Sequence, residues 1–177
     1  MIRLYVAASL DGYIADADGG VAWLDRFNTP EVAESYERFT EQIGTMIIGR
    51  KSFEQALTFG DWLYGAMRTY VLTSQPLVDP PDNVEPISAA QLPALIENLR
   101  DAELDTWLMG GGQTVKTFFD LKAVDEIELY VIPLVLGDGI PLFPTGCAAN
   151  SMRLEETAEL PRGMAMLRYR LTDSPDV

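Results

Sequence analysis

Histidine is absent from all 177 residues. That absence removes Ser-His-Asp and Cys-His hydrolases, imidazole zinc sites and histidine-based acid catalysis together. Any chemistry must use carboxylates, Tyr, Lys, Arg, the lone Cys147 or a cofactor. A single cysteine cannot form an internal disulfide, which fits a reducing cytoplasm. Cations are also scarce, since 13 Lys and Arg stand against 27 Asp and Glu for a net charge of −14. This is the wrong sign for holding nucleic acid or anionic lipid through a surface field. No run approaches the ~18 uncharged apolar residues of a membrane helix. The N-terminus leads from Met1-Ile2-Arg3 straight into apolar alternation, without a basic segment or a cleavage site. The expectation is one cytoplasmic globular domain over residues 1–177, serving a small molecule rather than nucleic acid or membrane.

What is present reads as alternating strands and helices. Residues 2–8 are an apolar strand stopped at Asp11-Gly12. Thr29-Pro30 offers an N-cap and a first-turn proline, and Val32, Tyr36, Phe39 and Ile43 recur at helical spacing before Gly44, so a helix is expected over 30–43. A buried strand, 45–48, ends at Gly49-Arg50-Lys51-Ser52, and Phe53, Ala56 and Leu57 suggest a short helix. Residues 69–73 form a further strand, and the proline-rich 76–82 a surface loop. Ser88 with Gln91 makes a capping box for a helix to about Asp101. A strand over 106–109, the turn Gly110-Gly111-Gly112 and a helix buried through Val115, Phe118 and Phe119 follow. The order is strand, helix, strand, helix, strand, strand, helix, strand, helix, an α/β layout with a largely parallel core. After Ala123 the period becomes two, and segments near 126–131, 152–160 and 164–171 are expected as antiparallel additions to the same sheet. The apolar run Ile127 to Leu136 suggests a homodimer contact through those strands.

Three strand ends carry chemistry. At Leu108 to Thr114 an apolar strand passes through three glycines into a helix, where close backbone approach and unpaired amides suit a pyrophosphate. The same glycines equally suit tight strand–helix packing. Gly49-Arg50-Lys51-Ser52 places two cations and a hydroxyl at a helix start, able to hold a phosphate or to form a solvated turn. Thr73-Ser74-Gln75 adds hydroxyls at the same edge, where ligands of open α/β sheets bind. Together these favour a phosphate-rich nucleotide.

Ser9-Leu10-Asp11-Gly12-Tyr13-Ile14-Ala15, Trp23, Ile48 to Glu54, Leu72-Thr73-Ser74 and Gly110 to Gln113 resemble the dihydrofolate reductase superfamily. Pro133 to Phe143 narrows the resemblance to the reductase domain of riboflavin-biosynthesis deaminase-reductases. The resemblance implies a three-layer α/β/α domain with a central mixed sheet of about eight strands, whose C-terminal strands are antiparallel, and an NADPH-dependent reductase activity. Carried over by position, Gly49, Arg50, Lys51 and Ser52 meet the cofactor phosphates. Leu72, Thr73 and Ser74 border its adenosine half, and Gly110, Gly111, Gly112, Gln113 and Thr114 cradle the pyrophosphate. Ala8 and Ile14 line the nicotinamide, and Trp23 sits at a loop over the substrate unless it is a core aromatic.

The sequence departs from both relatives around the acceptor. Folate reductases carry an acid one turn into the first long helix, where Ala33 stands, with Glu31 and Glu34 out of register. Riboflavin-type reductases tend to carry a glutamate before the paired glycines, where Gly110 stands. Asp11 remains as the candidate acid, its pKa expected to be raised by burial, although Asp-Gly is also a common turn pair. No metal is expected. The expected activity is hydride transfer to a pterin-like, pyrimidine-like, carbonyl or imine acceptor; a catalytically silent nucleotide-binding module is the alternative.

Overall fold

The computed structural model describes residues 1–172. The central strand β1 (Ile2–Ser9) is followed by a short strand β2 (Tyr13–Ala15), a 3-10 turn (Ala22–Phe27) and α1 (Pro30–Thr40). Next come β3 (Ile43–Gly49), α2 (Arg50–Leu57), β4 (Arg68–Leu72), β5 (Val84–Ile87) and α3 (Leu92–Arg100). The chain continues through β6 (Asp105–Gly110), α4 (Gly112–Asp120), β7 (Glu126–Ile132), β8 (Ile140–Pro141), β9 (Ser151–Leu160) and β10 (Met164–Thr172). Eight strands form one mixed sheet in the order β5-β4-β3-β6-β1-β7-β10-β9, and β2 pairs with β8 in a separate ribbon. The pairs from β5 across to β7 are parallel, whereas β10 runs antiparallel to β7 and β9 antiparallel to β10.

Strand alternation sorts the core into two layers. Ile2, Leu4 and Ala8 point to the face covered by α3 and α4, where Leu92, Leu95, Val115 and Phe118 bury them. On the opposite face Phe39 of α1 and Phe53 of α2 pack with Met46, Ile48, Val71 and Trp107. The expected three-layer architecture is therefore present.

Several boundaries differ from expectation. The helix expected over 30–43 ends at Thr40, because Ile43 is claimed by β3, where it pairs with Asp105 and is 6% exposed. Gly44 is a strand residue rather than a helix stop, and a Cβ there would stand 3.0 Å from that of Leu104. Thr29 makes no side-chain capping bond to the helix it precedes. The capping box at Ser88 is present, with Gln91 Oε1 accepting the Ser88 amide at 3.0 Å. The second of the two consecutive strands, which had no readable bounds, is β5, a four-residue strand holding a proline.

The C-terminal third also needs correction. β7 is parallel to β1, since α4 returns the chain in the same direction, and only β9 and β10 bring the antiparallel pattern. Of the run expected at a dimer contact, Ile127 to Ile132 lie inside the sheet between β1 and β10, and Val135 beyond them is exposed. One edge of the sheet is β9, which carries Arg153, Glu155, Glu156 and Glu159, the kind of charge that discourages strand pairing between molecules. Among the described residues no helix is long and apolar enough to cross a membrane.

Candidate active site

Parallel strands bring their C-terminal ends to one edge, so residues far apart in sequence meet there. β3 and β6 are neighbours, and Gly49 and Gly110 close them side by side. Ser52 Oγ accepts the Gly111 amide at 3.0 Å, tying the start of α2 to the start of α4. The first amides of both helices lack intrahelical partners, so two helix N-termini with partial positive charge face one place. The Gly110–Gly111 peptide is cis, and Gly110 has φ 111°. Gly111 itself has φ −62°, and the nearest atom to a Cβ built there is Ser52 Oγ at 3.1 Å. That contact is tight, but no other atom lies within 4 Å of the position.

The other glycines at this edge answer to packing. A Cβ on Gly49 would meet Thr114 Oγ1 at 2.5 Å, and one on Gly112 would meet the Pro141 carbonyl oxygen at 2.5 Å. Thr114 is buried against Gly49, so its side chain serves the junction. Gln113 is exposed.

Arg50 is engaged locally. Its Nε donates to Glu54 at 2.7 Å, while one terminal nitrogen reaches Thr73 Oγ1 at 3.3 Å and the carbonyls of Gln75 and Pro76 at 3.4 and 3.2 Å. The guanidinium thereby fastens the loop after β4 beside α2. Lys51 is exposed and, among the described residues, makes no ion pair. Leu72 pairs with Gly49 across β3 and β4, and Ser74 is exposed beyond it.

Asp11 is exposed at the turn after β1. Its Oδ1 accepts the Ser9 hydroxyl at 2.6 Å and the Leu136 amide at 3.1 Å, and its Oδ2 accepts the Gly137 amide at 2.8 Å. These bonds, the Ser9 hydroxyl foremost, hold its pKa down at about 2. The expectation of a raised pKa is thus reversed, because donors surround the carboxylate and burial does not. Asp11 belongs to a turn that ties β1 to the 134–137 loop. Asp138 bonds the Gly139 amide at 2.8 Å within the turn leading to β8, which pairs with β2 rather than back onto β7.

Beside this edge, on the α1 face of the sheet, lies a cleft of about 270 Å³. Tyr5 and Ala7 of β1, Tyr130 and Ile132 of β7, Val32 of α1 and Met164 form much of its wall. The 3-10 turn closes it with Leu24, Asp25, Phe27 and Asn28. Tyr130 Oη donates to Glu128 at 2.7 Å and lies 2.7 Å from Ser35 Oγ, and burial first of all pushes the Tyr5 and Tyr130 pKa values up. Both phenols therefore stay protonated, and Asp25 is the one acidic residue in the lining. Trp23 stands on the same turn, packed against the Phe27, Tyr130, Ile132 and Met164 cluster, with its indole N–H buried and without a protein partner. The preceding loop is fastened by Gln55 Nε2, which donates to the Gly19 carbonyl at 2.7 Å.

The structure thus gathers Gly49 to Ser52, Leu72 to Ser74 and Gly110 to Thr114 at one edge. Ala8 belongs to the opposite face, 3% exposed within the α3 and α4 core, and Ile14 packs against that same core. Ala7 is the β1 alanine that faces the cleft, and alternation from Tyr5 was the available signal. Met164 opens β10, and the β7–β10 pairing brings it into the wall. Asp25 and Asn28 carry no sequence signal apart from their spacing. Cys147 is partly buried, with its thiol pKa raised chiefly by burial. Among the described residues no group of three or more His, Cys, Asp or Glu is placed to hold a metal ion.

The chain matches the RibD C-terminal domain family over residues 1–166. The uncharacterized protein YwjB of Bacillus subtilis (strain 168) is 33% identical over 157 residues, covering 88% of this chain and 90% of YwjB. A Shewanella sp. PV-4 protein attributed to riboflavin biosynthesis superposes with a TM-score of 0.85 at 26% identity, over 97% of this chain and 98% of that one. Dihydrofolate reductase of Enterococcus faecalis, solved with NADP(H), superposes with a TM-score of 0.70 at 17% identity over 98% and 97% of the two chains. The fold is dihydrofolate-reductase-like.

Proposed function

The chain belongs to the RibD C-terminal domain family, and from that premise we propose that it is an NADPH-dependent reductase of a small heterocyclic, carbonyl or imine acceptor. The observation that carries this is the Ser52–Gly111 hydrogen bond, which sets two helix N-termini and a glycine backbone against one another. That arrangement fits the pyrophosphate of a dinucleotide, with Gly110, Gly111, Gly112 and Gln113 supplying main chain and Ser52 a hydroxyl. Arg50 and Lys51 would meet the ribose phosphate, Arg50 by exchanging Glu54 for a second anion. Leu72, Thr73 and Ser74 would border the adenosine, and the ends of β1 and β2 near Ala8 and Ile14 the nicotinamide. The NADP(H) bound to the Enterococcus dihydrofolate reductase supports the choice of cofactor by analogy of fold.

A reduced nicotinamide bound there would supply the hydride. The protein's part is to hold the acceptor in the cleft, with Phe27, Val32, Ile132 and Met164 excluding water around it. Asp11, ionised at neutral pH, positions the loop and donates no proton. With no histidine in the chain and Asp11 held as a carboxylate, the proton for the reduced acceptor comes from water. The lowered pKa of Asp11 also supports a second reading, a nucleotide-binding module without turnover.

NADPH at a hundred times its dissociation constant should stabilise the fold by about 2.7 kcal/mol, a clear melting shift. Arg50→Ala should weaken NADPH roughly 10- to 100-fold, the scale of a lost charge-assisted bond, and NADH much less. Equal wild-type shifts with NADH and NADPH would refute the phosphate assignment. Cofactor oxidation with a panel of pterins, pyrimidinones and quinoid dyes separates the reductase from the silent module.

A further inference from the structure

With 13 Lys and Arg against 27 Asp and Glu, most cations of this chain are held by carboxylates. Arg100 and Lys122 are not: among the described residues neither makes an ion pair. Both line one cavity of about 640 Å³, within the roughly 300 to 1,000 Å³ usual for ligand pockets. The topology sets it apart from the site already described. Arg100 is the last residue of α3, and Lys122 follows the end of α4. β7 starts beside them, and β10 and β9, antiparallel to each other, bring Leu171 and Ser151 to the same end. The edge proposed for the cofactor lies at the other end of the sheet, where α4 begins.

The charged lining sums to two positive charges, three cations against Asp125. Arg170 is occupied, with Nε donating to Glu155 and a terminal nitrogen to Glu126, each at 3.0 Å. Asp125 serves the backbone, its Oδ2 accepting the Ile2 amide at 2.7 Å. Arg100 makes one bond among the described residues, from a terminal nitrogen to the Lys122 carbonyl at 3.4 Å. That bond brings the guanidinium to the backbone of the second cation and leaves the rest of its fork open. Asn150 donates its amide nitrogen to the Ala148 and Phe119 carbonyls at 2.9 and 3.4 Å, so its own carbonyl oxygen remains to accept. The Ser151 hydroxyl has no partner among the described residues. Buried Val124 and half-buried Leu171 complete the wall.

We infer that this cavity is a second small-molecule site, which takes the phosphate monoester of a hydroxylated compound such as a sugar. The phosphate lies between Arg100 and Lys122, and the hydroxyls meet Asn150 and Ser151. Unpaired like charges sharing a cavity repel, and an anion between them removes that cost. A phosphate monoester brings a charge of about −1.5 to −2 and three acceptor oxygens, enough to engage a guanidinium fork and an ammonium together. A carboxylate offers one charge and two oxygens, which one of the two cations would satisfy. A hydroxyl both donates and accepts, so it suits the open Asn150 oxygen and the Ser151 hydroxyl alike. Nothing in this assignment depends on the reductase reading.

The test is calorimetric titration of the full chain with ribose 5-phosphate, ribose and succinate, repeated in Arg100→Gln, Lys122→Asn and Arg50→Ala. Arg100 and Lys122 are exposed, and Asn accepts the φ of 51° at position 122, so the first two variants should fold. Ribose 5-phosphate should bind saturably, succinate more weakly and ribose not measurably. Arg100→Gln and Lys122→Asn should each weaken ribose 5-phosphate about 10- to 100-fold, the scale of a lost hydrogen bond to a charge, with NADPH affinity within about twofold of wild type. Arg50→Ala should leave ribose 5-phosphate binding as it is. A loss in Arg50→Ala without one in the other two variants assigns the phosphate to the opposite edge and overturns the inference. No saturable binding of ribose 5-phosphate, or binding no tighter than that of succinate, overturns it as well.

Discussion

Asp11 Oδ2 accepts the Gly137 amide at 2.8 Å across 126 positions of sequence. With the Leu136 amide on Oδ1, this carboxylate satisfies two main-chain donors of a loop that has left the sheet after β7. The same loop leads into β8, whose Pro141 carbonyl oxygen lies where a Gly112 side chain would be. A turn residue just after β1 thereby helps to set the position of the strand that overlies the start of α4. The link is structural, yet it reaches the proposed cofactor edge.

Asp11→Asn should therefore act first on stability. The folded pKa is about 2 against an ordinary 3.8. A depressed carboxylate pKa contributes stability above its unfolded value and loses it as pH falls through the folded one. The variant should melt below wild type at pH 7, and the difference should close between about pH 4 and pH 2. Turnover on a working acceptor should fall less than about tenfold, short of the roughly 10²-fold scale of a lost general acid. A hundredfold loss with an unchanged melting curve would restore Asp11 as a catalytic residue.

Arg3 offers a test of the sheet itself. It is 6% exposed on β1, with Nε donating to Glu126 at 2.9 Å and a terminal nitrogen to Gln42 at 2.8 Å. Glu126 is 3% exposed and also receives Arg170 at 3.0 Å. Arg3→Met removes the guanidinium and leaves the carboxylate under-compensated, which should cost about 3 to 5 kcal/mol in urea unfolding. Adding Glu126→Gln should recover a large part of that loss. Equal stabilities for the single and double variants would show that the buried pair does not govern this site.

The fold was legible where local pattern and tertiary demand agree. Strands β1, β3, β4 and β6 are apolar runs ending in glycine or polar residues, and α3 carries both its capping box and its stripe of Leu92, Leu95, Ile96 and Leu99. Boundaries failed where a neighbour decided: Ile43 fits the helical spacing of α1, but its pairing with Asp105 draws it into β3. The edge proposed for the cofactor was legible because glycines, cations and hydroxyls cluster at strand ends. The cleft proposed for the acceptor was not, because its walls are mostly apolar residues on five separate elements. Its carboxylate, Asp25, stands on a short 3-10 turn rather than on α1. The pKa of Asp11 runs opposite to expectation because the donors from positions 136 and 137 have no local trace in the sequence.

The glycines at the start of α4 separate the two roles that the sequence left open for them. Gly111 has φ −62°, a value any residue adopts, and the group nearest to an added Cβ is the rotatable Ser52 hydroxyl at 3.1 Å. Gly111→Ala should therefore fold, with a cost below about 1 kcal/mol. If phosphates approach this backbone, the same methyl group occupies their space, and NADPH affinity should fall at least about tenfold. Gly112 is the reverse case. Its Cβ would stand 2.5 Å from the Pro141 carbonyl oxygen, a main-chain atom that cannot rotate away, with Pro144 Cγ at 3.3 Å behind it. Gly112→Ala should cost about 1 to 3 kcal/mol, as overpacking does. Its NADPH affinity should weaken only as far as displacement of β8 moves the α4 terminus. Thermal melting followed by circular dichroism, paired with NADPH titration of each variant, reads both quantities. A Gly111→Ala protein that melts like wild type and binds NADPH equally well would remove the phosphate cradle and leave tight strand–helix packing as the whole reason for the glycine run.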